Sequence, residues 1–318
     1  KNPLRMAPLG FVAQSLLLLT LSHTLPVVRP DFRVTQSSFL SPAPPWRKTA
    51  LLRAAPVDGD LLIFGAGPVA RAAARAARPH FRKILCASRG RRKMPEDPPD
   101  DGVQPLRVEF LPDGTVGGAD RTAVRDAVRA CSHVLVTVPP VPAADGSREA
   151  AEDAVLRNYR EDFASVSWVG FISTTSVYGD LSGEWADENS PCVAKGPGRP
   201  YRDAEEGYLL LPGPSVRVFR CAGIYGPHSS ALHVVFREAL LRGDGAATPA
   251  LAPAGKPATN RIHVDDIAQA VVASMLREGA AGEGGRVYNL ADDRPAPRAE
   301  AMGHAQTILS GARVCGTS

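Results

Sequence analysis

The stretch that most constrains this chain is residues 61–70. Leu61-Leu62-Ile63-Phe64 is a short, wholly apolar run, as a strand buried on both faces should be, and Gly65-Ala66-Gly67-Pro68-Val69-Ala70 follows at once. The spacing is G-x-G-x-x-A, and Ala- and Arg-rich sequence continues it as a helix to Arg78. Each residue type has a reason. Gly65 permits the tight turn, Gly67 lets a pyrophosphate approach the backbone, and the small Ala70 lets helix and strand pack closely. Phosphates would then meet the free N–H groups of Val69, Ala70 and their neighbours at the positive end of the helix. A strand before the turn and a helix after it make this a dinucleotide site, with Gly65, Ala66, Gly67, Pro68, Val69 and Ala70 as its cradle.

A second strand, Ile84 to Ala87, ends about 20 residues beyond the glycines, where the ribose-reading residue of such a unit belongs. A site for NAD would place Asp or Glu there. This chain places Ser88 and Arg89, with Arg91, Arg92 and Lys93 close behind. A carboxylate repels a 2′-phosphate and an arginine pairs with it, so NADP is expected over NAD. Further strands are expected at Leu106–Leu111 and His133–Val138, the latter running into Pro139-Pro140, with Val138 and Pro139 on the cofactor side. Between them, Val124, Ala127 and Val128 fall at helical spacing within Ala119–Ala130. Strand–helix alternation of this kind is that of an α/β protein with a Rossmann-type, doubly wound parallel sheet.

Charge is informative only once it is divided. Residues 1–57 carry seven of the 37 basic groups and one of the 33 acids, so the leader holds +6 and the remainder −2 of a chain whose net charge is +4. The body lacks the clustered basic excess that nucleic acid requires, so no nucleic-acid partner is expected. The leader has an apolar run from Leu9 to Leu21, broken further on by His23 and Pro26, then an Arg- and Ser-rich, acid-poor stretch. Two readings stand side by side: a signal followed by a transit segment, directing the chain to a plastid or other organelle, or an N-terminus without structural meaning in a cytoplasmic protein. In both, residues 1–56 lie outside the fold, and no stable membrane span is expected once the leader is removed. Five scattered cysteines without a C-x-x-C pair point to a reducing compartment and away from structural zinc.

Trp168-Val169-Gly170-Phe171-Ile172 reads as a fifth strand and runs into Ser173-Thr174-Thr175-Ser176-Val177-Tyr178-Gly179-Asp180. Arg217-Val218-Phe219-Arg220 then leads to Ala222-Gly223-Ile224-Tyr225-Gly226-Pro227. Arg261-Ile262-His263-Val264-Asp265-Asp266-Ile267-Ala268 and Tyr288-Asn289-Leu290-Ala291-Asp292 follow in order. Over about residues 58–297 the chain resembles the extended short-chain dehydrogenases/reductases, in their NAD-dependent epimerase/dehydratase branch. The resemblance implies a dinucleotide-binding domain over 57–220, then the remaining sheet elements with a small, shortened substrate lobe over 221–318. It implies a hydroxylated small-molecule substrate, a sugar nucleotide or similar, and it allows a homodimer.

It also implies a mechanism. A Tyr and a Lys four residues later work beside a Ser or Thr, and the phenolate takes a hydroxyl proton as hydride leaves for the nicotinamide. Thr174 matches the Ser/Thr position. None of the six tyrosines has Lys at that spacing, however. Tyr201 is followed there by Glu205, and a carboxylate beside a phenol raises its pKa, the wrong direction for a base. In a second alignment Glu205 or Glu206 matches a carboxylate further along the helix; the Tyr position then falls at Pro197 or Gly198 and the Lys position at Tyr201 or Arg202. Thr174 and Tyr201 are the catalytic candidates, Tyr225 either borders the nicotinamide or simply ends a strand, and Arg261 is the candidate substrate contact. The segment around His263 is expected to be a strand turning into a helix capped by Asp265 or Asp266. A last helix is expected at Arg298–Leu309. Two functions follow: an NADP-dependent oxidoreductase or epimerase/dehydratase, or an inactive NADP-binding scaffold or redox sensor.

Overall fold

A computed structural model describes residues 56–90, 102–111, 114–142, 145–147, 151–181, 184–193, 195–227, 229–235, 259–277 and 284–314. The leader, Arg91, Arg92 and Lys93 lie outside the described residues. In chain order the elements begin with β1 (Val57–Phe64), α1 (Pro68–Ala77), β2 (Phe81–Ser88), β3 (Val103–Arg107), β4 (Glu109–Phe110), β5 (Val116–Gly117) and α2 (Arg121–Ala130). They continue with β6 (His133–Val136), α3 (Ala154–Tyr159), β7 (Trp168–Thr174), α4 (Arg199–Leu209), β8 (Ser215–Cys221) and β9 (Gly223–Tyr225). The last are β10 (Arg261–His263), α5 (Val264–Leu276), β11 (Arg286–Leu290) and α6 (Arg298–Val314).

Seven strands form one sheet in the order β11-β8-β7-β6-β1-β2-β3, and every pairing in it is parallel. The chain reverses direction across the sheet between β1 and β6, so the crevice above that point is the topological switch. Parallel strands need crossovers, and these cover both faces. Alternate residues of each strand therefore enter opposite cores. Leu61, Ile63, Ile84, Leu135, Ile172 and Phe219 pack under α1 and α5, while Leu62, Phe64, Leu85, Val136, Phe171 and Val218 pack under α2, α3 and α4. The alanines of α1 let it lie close, with Ala72, Ala73 and Ala77 at 2% exposure or less.

Expected and observed elements differ in four places. The run Leu106–Leu111 is not one strand: β3 ends at Arg107, and Glu109–Phe110 turns away to pair antiparallel with β5. Asp120 causes the break, because its carboxylate accepts the Arg107 N–H at 2.7 Å while its own N–H donates to the Arg107 carbonyl at 3.0 Å. The strand at His133 stops at Val136, short of Val138. Helix α5 begins at Val264, so the capping side chain is His263, whose Nδ1 accepts from the Asp265 N–H; Asp265 and Asp266 fall in the first turn rather than at the cap. Helix α6 continues to Val314, past Leu309. A glycine such as Gly311 weakens a helix by about 1 kcal/mol without having to end it.

Beyond β8 the chain leaves the main sheet. Strands β9 and β10 form a separate two-stranded parallel pair above its edge, and β11 then rejoins the sheet beside β8.

Candidate functional site

Register fixes the shape of the crevice. Ala87, Phe64, Val136, Phe171, Val218 and Val287 lie in one row across the sheet. The glycine turn starts just above this row, whereas β7, β8 and β11 run three residues further, to the row Thr174, Cys221 and Leu290. At about 3.3 Å per residue, that half of the sheet stands roughly 10 Å taller and forms a wall beside the turn.

The turn is built for its φ angles and for open space. Gly65 has φ +114°, and a Cβ on it would stand 2.2 Å from the Thr137 hydroxyl oxygen. Any side chain there would be both strained and obstructed. The Gly65 N–H donates to the Ala87 carbonyl at 2.9 Å, and Thr137 donates from N and Oγ1 to the Phe64 carbonyl at 2.9 and 2.8 Å. Gly67 is the N-cap of α1, and a Cβ on it would meet nothing within 4 Å. Pro68 opens the helix without an N–H to offer, and the first i→i−4 bond runs from Arg71 to Gly67 at 3.0 Å. The N–H groups of Val69 and Ala70 thus have no partner within the helix, and the first turn carries no acid. Their side chains are buried. Arg71 braces the turn through Nε to the Ala66 carbonyl at 3.0 Å, and the Cys86 thiol donates to the Gly65 carbonyl from below at 2.9 Å. Open space over Gly67 and unpaired donors at a helix N-terminus fit a dinucleotide pyrophosphate.

Ser88 ends β2 with its carbonyl accepting from Val108, and Arg89 beyond it is exposed. Val138 is half-buried and Pro139 exposed, following β6 on the far side of the turn. Thr174 ends β7 and caps the 3-10 turn Thr175–Tyr178: its Oγ1 accepts from the Ser176 N–H at 3.2 Å and the Ser176 hydroxyl at 3.1 Å. The Thr174 O–H remains to donate. Gly198, at the N-cap of α4, abuts this turn so closely that a Cβ would stand 2.2 Å from the Ser176 carbonyl. One helical turn on, Tyr201 packs among the apolar residues below, its ring 6.5 Å from Phe171. Arg202 turns outward to Asp203 and Glu206 and to the Val193 carbonyl.

Glu205 settles which way α4 faces. It is 2% exposed and accepts from the Ser173 hydroxyl and, bidentately, from Arg220, with Nη2 to Oε2 at 2.7 Å. Arg220 also donates to the Tyr178 hydroxyl at 2.8 Å, which donates onward to Asn289 Oδ1 at 2.7 Å, and the Asn289 N–H donates to Glu188 at 2.8 Å. Burial alone would lower the Arg220 pKa, but the Glu205 carboxylate outweighs it and pushes it up. With Glu205 as the inward carboxylate, Tyr201 lies one helical turn before it, and Pro197 stands just ahead of the N-cap Gly198. Sequence reasoning weighed Glu205 but met Arg220, Ser173, Tyr178 and Asn289 only within motifs, and so missed the network that joins them with Glu188. The available signal was two arginines inside an otherwise apolar strand, Ser215–Cys221, since a buried charge requires a partner.

At the far end of the wall, Tyr225 is half-buried, edge-on to His263 with ring centres 5.1 Å apart, and hydrogen-bonded to Asp292. Burial pushes Tyr225 up to about 12, with the Asp292 and Asp266 charges adding and Arg261 opposing. Burial also pushes Tyr159, Tyr178 and Tyr208 upward. None of these four phenols is prepared to be a phenolate at neutral pH. Arg261, the expected substrate contact, spends Nη2 on Thr259 Oγ1 at 3.3 Å and on the carbonyls of Ala296 at 3.2 Å and Pro297 at 3.4 Å, so it ties β10 to the segment after β11. Among the described residues no group of three or more metal-ligating side chains occurs, and no helix is long and apolar enough to cross a membrane.

No family model matches the sequence. In solved structures the likeness is broad. A protein from Methylobacillus flagellatus, provisionally named an NAD-dependent epimerase/dehydratase, is 26% identical with a TM-score of 0.58, covering 80% of this chain and 83% of that one. This likeness supports assigning the chain to the NAD-dependent epimerase/dehydratase family. A conserved protein of unknown function from Silicibacter pomeroyi is 28% identical at a TM-score of 0.58, covering 79% of each chain. The Bordetella bronchiseptica enzyme WbmG, solved with NAD, shares the fold at 15% identity and a TM-score of 0.57, over 80% of this chain and 79% of its own. Among curated proteins, Escherichia coli YeeZ is 28% identical over 120 residues. That match spans 38% of this chain and 38% of YeeZ.

Proposed function

We propose that this chain binds NADP over the carboxyl edge of its sheet and acts as an oxidoreductase of the epimerase/dehydratase type on a hydroxylated small molecule, a sugar nucleotide or similar. The glycine turn carries the reading: open space over Gly67, a strained Gly65 and the unpaired N–H groups of Val69 and Ala70 form a cradle for a pyrophosphate. Ser88 and Arg89 stand where the ribose is read, and an exposed guanidinium there favours a 2′-phosphate. Val138 and Pro139 flank the turn on the side towards β7. When bound, the nicotinamide group would supply a hydride acceptor and donor. The Thr174 hydroxyl then donates a hydrogen bond to the reacting oxygen, and the taller wall of β7 and β8 excludes water from one side. Tyr225 borders the same wall, and Arg261 holds the lobe that faces a substrate.

A second reading, a cofactor-holding scaffold or redox sensor without turnover, has its own observation. Gly198 presses against Ser176 with no room for a side chain, and in the alignment that Glu205 anchors, Pro197 or Gly198 stands where the Tyr of a Tyr/Lys pair would be.

Calorimetric titration of NADPH and NADH into the full chain and its Arg89→Glu variant tests the cofactor assignment. Tighter binding of NADPH, narrowed or reversed by the substitution, is the expected result. Equal affinities for both cofactors in both proteins would refute the preference. Steady NADPH oxidation with any sugar nucleotide or carbonyl compound would then exclude the scaffold reading.

A further inference from the structure

Asp292 is an ionisable group on this edge that the reading above leaves unused. It lies two residues beyond Leu290, which shares a register row with Cys221 and Thr174. Its N–H donates to the Arg261 carbonyl, and its carboxyl is hydrogen-bonded to the Tyr225 phenol. Two strand spacings, about 10 Å, separate Leu290 from Thr174 at the end of β7. A dinucleotide whose phosphates rest on the glycine turn above β1 directs its nicotinamide half across the switch point, towards β7 and β8. Tyr225 follows the end of β8 and Asp292 the end of β11, on the edge towards which the ring would be directed.

We propose that the Asp292–Tyr225 pair lets this chain discriminate the redox state of its dinucleotide, favouring the oxidised form, whose nicotinamide ring is positively charged. The inference rests on the dinucleotide reading above. A carboxylate at a partly buried edge attracts that cation, and the neutral reduced ring gains nothing from it. The Tyr225 hydroxyl donates to the carboxylate and fixes its direction. Burial pushes the Asp292 carboxyl up to about 6; the Tyr225 hydrogen bond and His263 oppose this, and Asp266 and Asp293 add to it. The group is then ionised at neutral pH and loses its charge as the pH falls through about 6. The groups facing the pair are His263 and Arg261 from β10, Asp266 from α5, and Asp293 beside Asp292. His263 acts on the Asp292 carboxyl directly, so its substitution is a required control.

The test titrates NADP+ and NADPH separately into the full chain at about pH 7.5 and about pH 5, a range that spans the Asp292 transition. The ratio of Kd for NADP+ to Kd for NADPH should rise roughly fourfold at the lower pH, for unit charges about 10 Å apart in a partly aqueous surrounding. The 2′-phosphate titrates in both forms of the cofactor and cancels from the ratio. Asp292→Asn, which preserves shape, should flatten the ratio, and His263→Gln should leave its pH dependence in place. A ratio independent of pH in the unsubstituted chain overturns the inference while the dinucleotide reading stands; so does a pH dependence that survives Asp292→Asn. Binding of neither form at either pH overturns the dinucleotide reading and this inference with it.

Discussion

Removing Arg220 should damage this protein more than any substitution at its surface. The guanidinium is buried with Glu205, and both Nε and Nη2 are committed to that carboxylate, while Nη1 holds Tyr178 at 2.8 Å. Arg220→Met retains much of the volume but leaves an ionised carboxylate at 2% exposure with only the Ser173 hydroxyl still donating to it. Breaking one side of a buried pair costs about 3–5 kcal/mol, most of it the desolvated charge left behind. For a domain of this size each kcal/mol moves the melting temperature by about 2–4 °C, so Tm should fall by roughly 6–20 °C. Adding Glu205→Leu removes the stranded charge, and the double variant should recover a large part of the loss. Thermal and urea unfolding of the three variants and the parent chain, closed as a double-mutant cycle, measures this. A single-variant loss below about 1 kcal/mol, or strictly additive losses, would refute the account of a coupled buried pair.

Two further outcomes follow from the geometry. His133 is buried between Phe81 and Trp168, and burial holds its pKa down at about 4, partly offset by the Met275 carbonyl. Unfolded chains take up that proton near pH 6.5, so His133 should cost stability progressively as pH falls from about 6.5 to about 4, by roughly 3 kcal/mol in all. Asp153 and Asp292, both raised to about 6, act in the opposite sense between about pH 6 and 4. The difference in urea-unfolding free energy between the parent chain and His133→Phe isolates the histidine, and a difference unchanged across that range would contradict its burial as a neutral ring. Gly65→Ala should lower stability by about 1–3 kcal/mol, from the φ of +114° and the obstruction by Thr137, and a melting temperature equal to the parent's would show that the turn can relax.

Much of this structure is legible in the sequence because parallel strands buried on both faces leave continuous apolar runs. Leu61–Phe64, Ile84–Ala87 and Trp168–Ile172 all lie within observed strands, and the glycine spacing marks the switch point directly. What escaped depends on partners distant in sequence. Periodicity cannot show that Asp120 captures the Arg107 N–H and breaks the strand after it. Nor can it show that β10 passes straight into α5, which moves the cap from the aspartates to His263. The network from Ser173 through Glu205 and Arg220 to Asn289 joins four separate elements, and only the fold brings them together. Tyr201 shows the same limit: it is the tyrosine nearest to a Tyr/Lys pattern, and only the fold shows its ring packed among apolar neighbours beside Phe171.

The central claim is that the glycine turn holds dinucleotide phosphates, and Gly67 allows it to be tested without disturbing the fold. A Cβ at Gly67 meets nothing within 4 Å, so Gly67→Val should melt with the parent chain while its side chain fills the space a pyrophosphate needs. Calorimetric titration of NADPH into both proteins is the most direct measurement. Binding to the parent chain that weakens by more than about tenfold in a folded Gly67→Val variant is the expected result. Equal affinity in the two, or no binding to the parent chain, would contradict it.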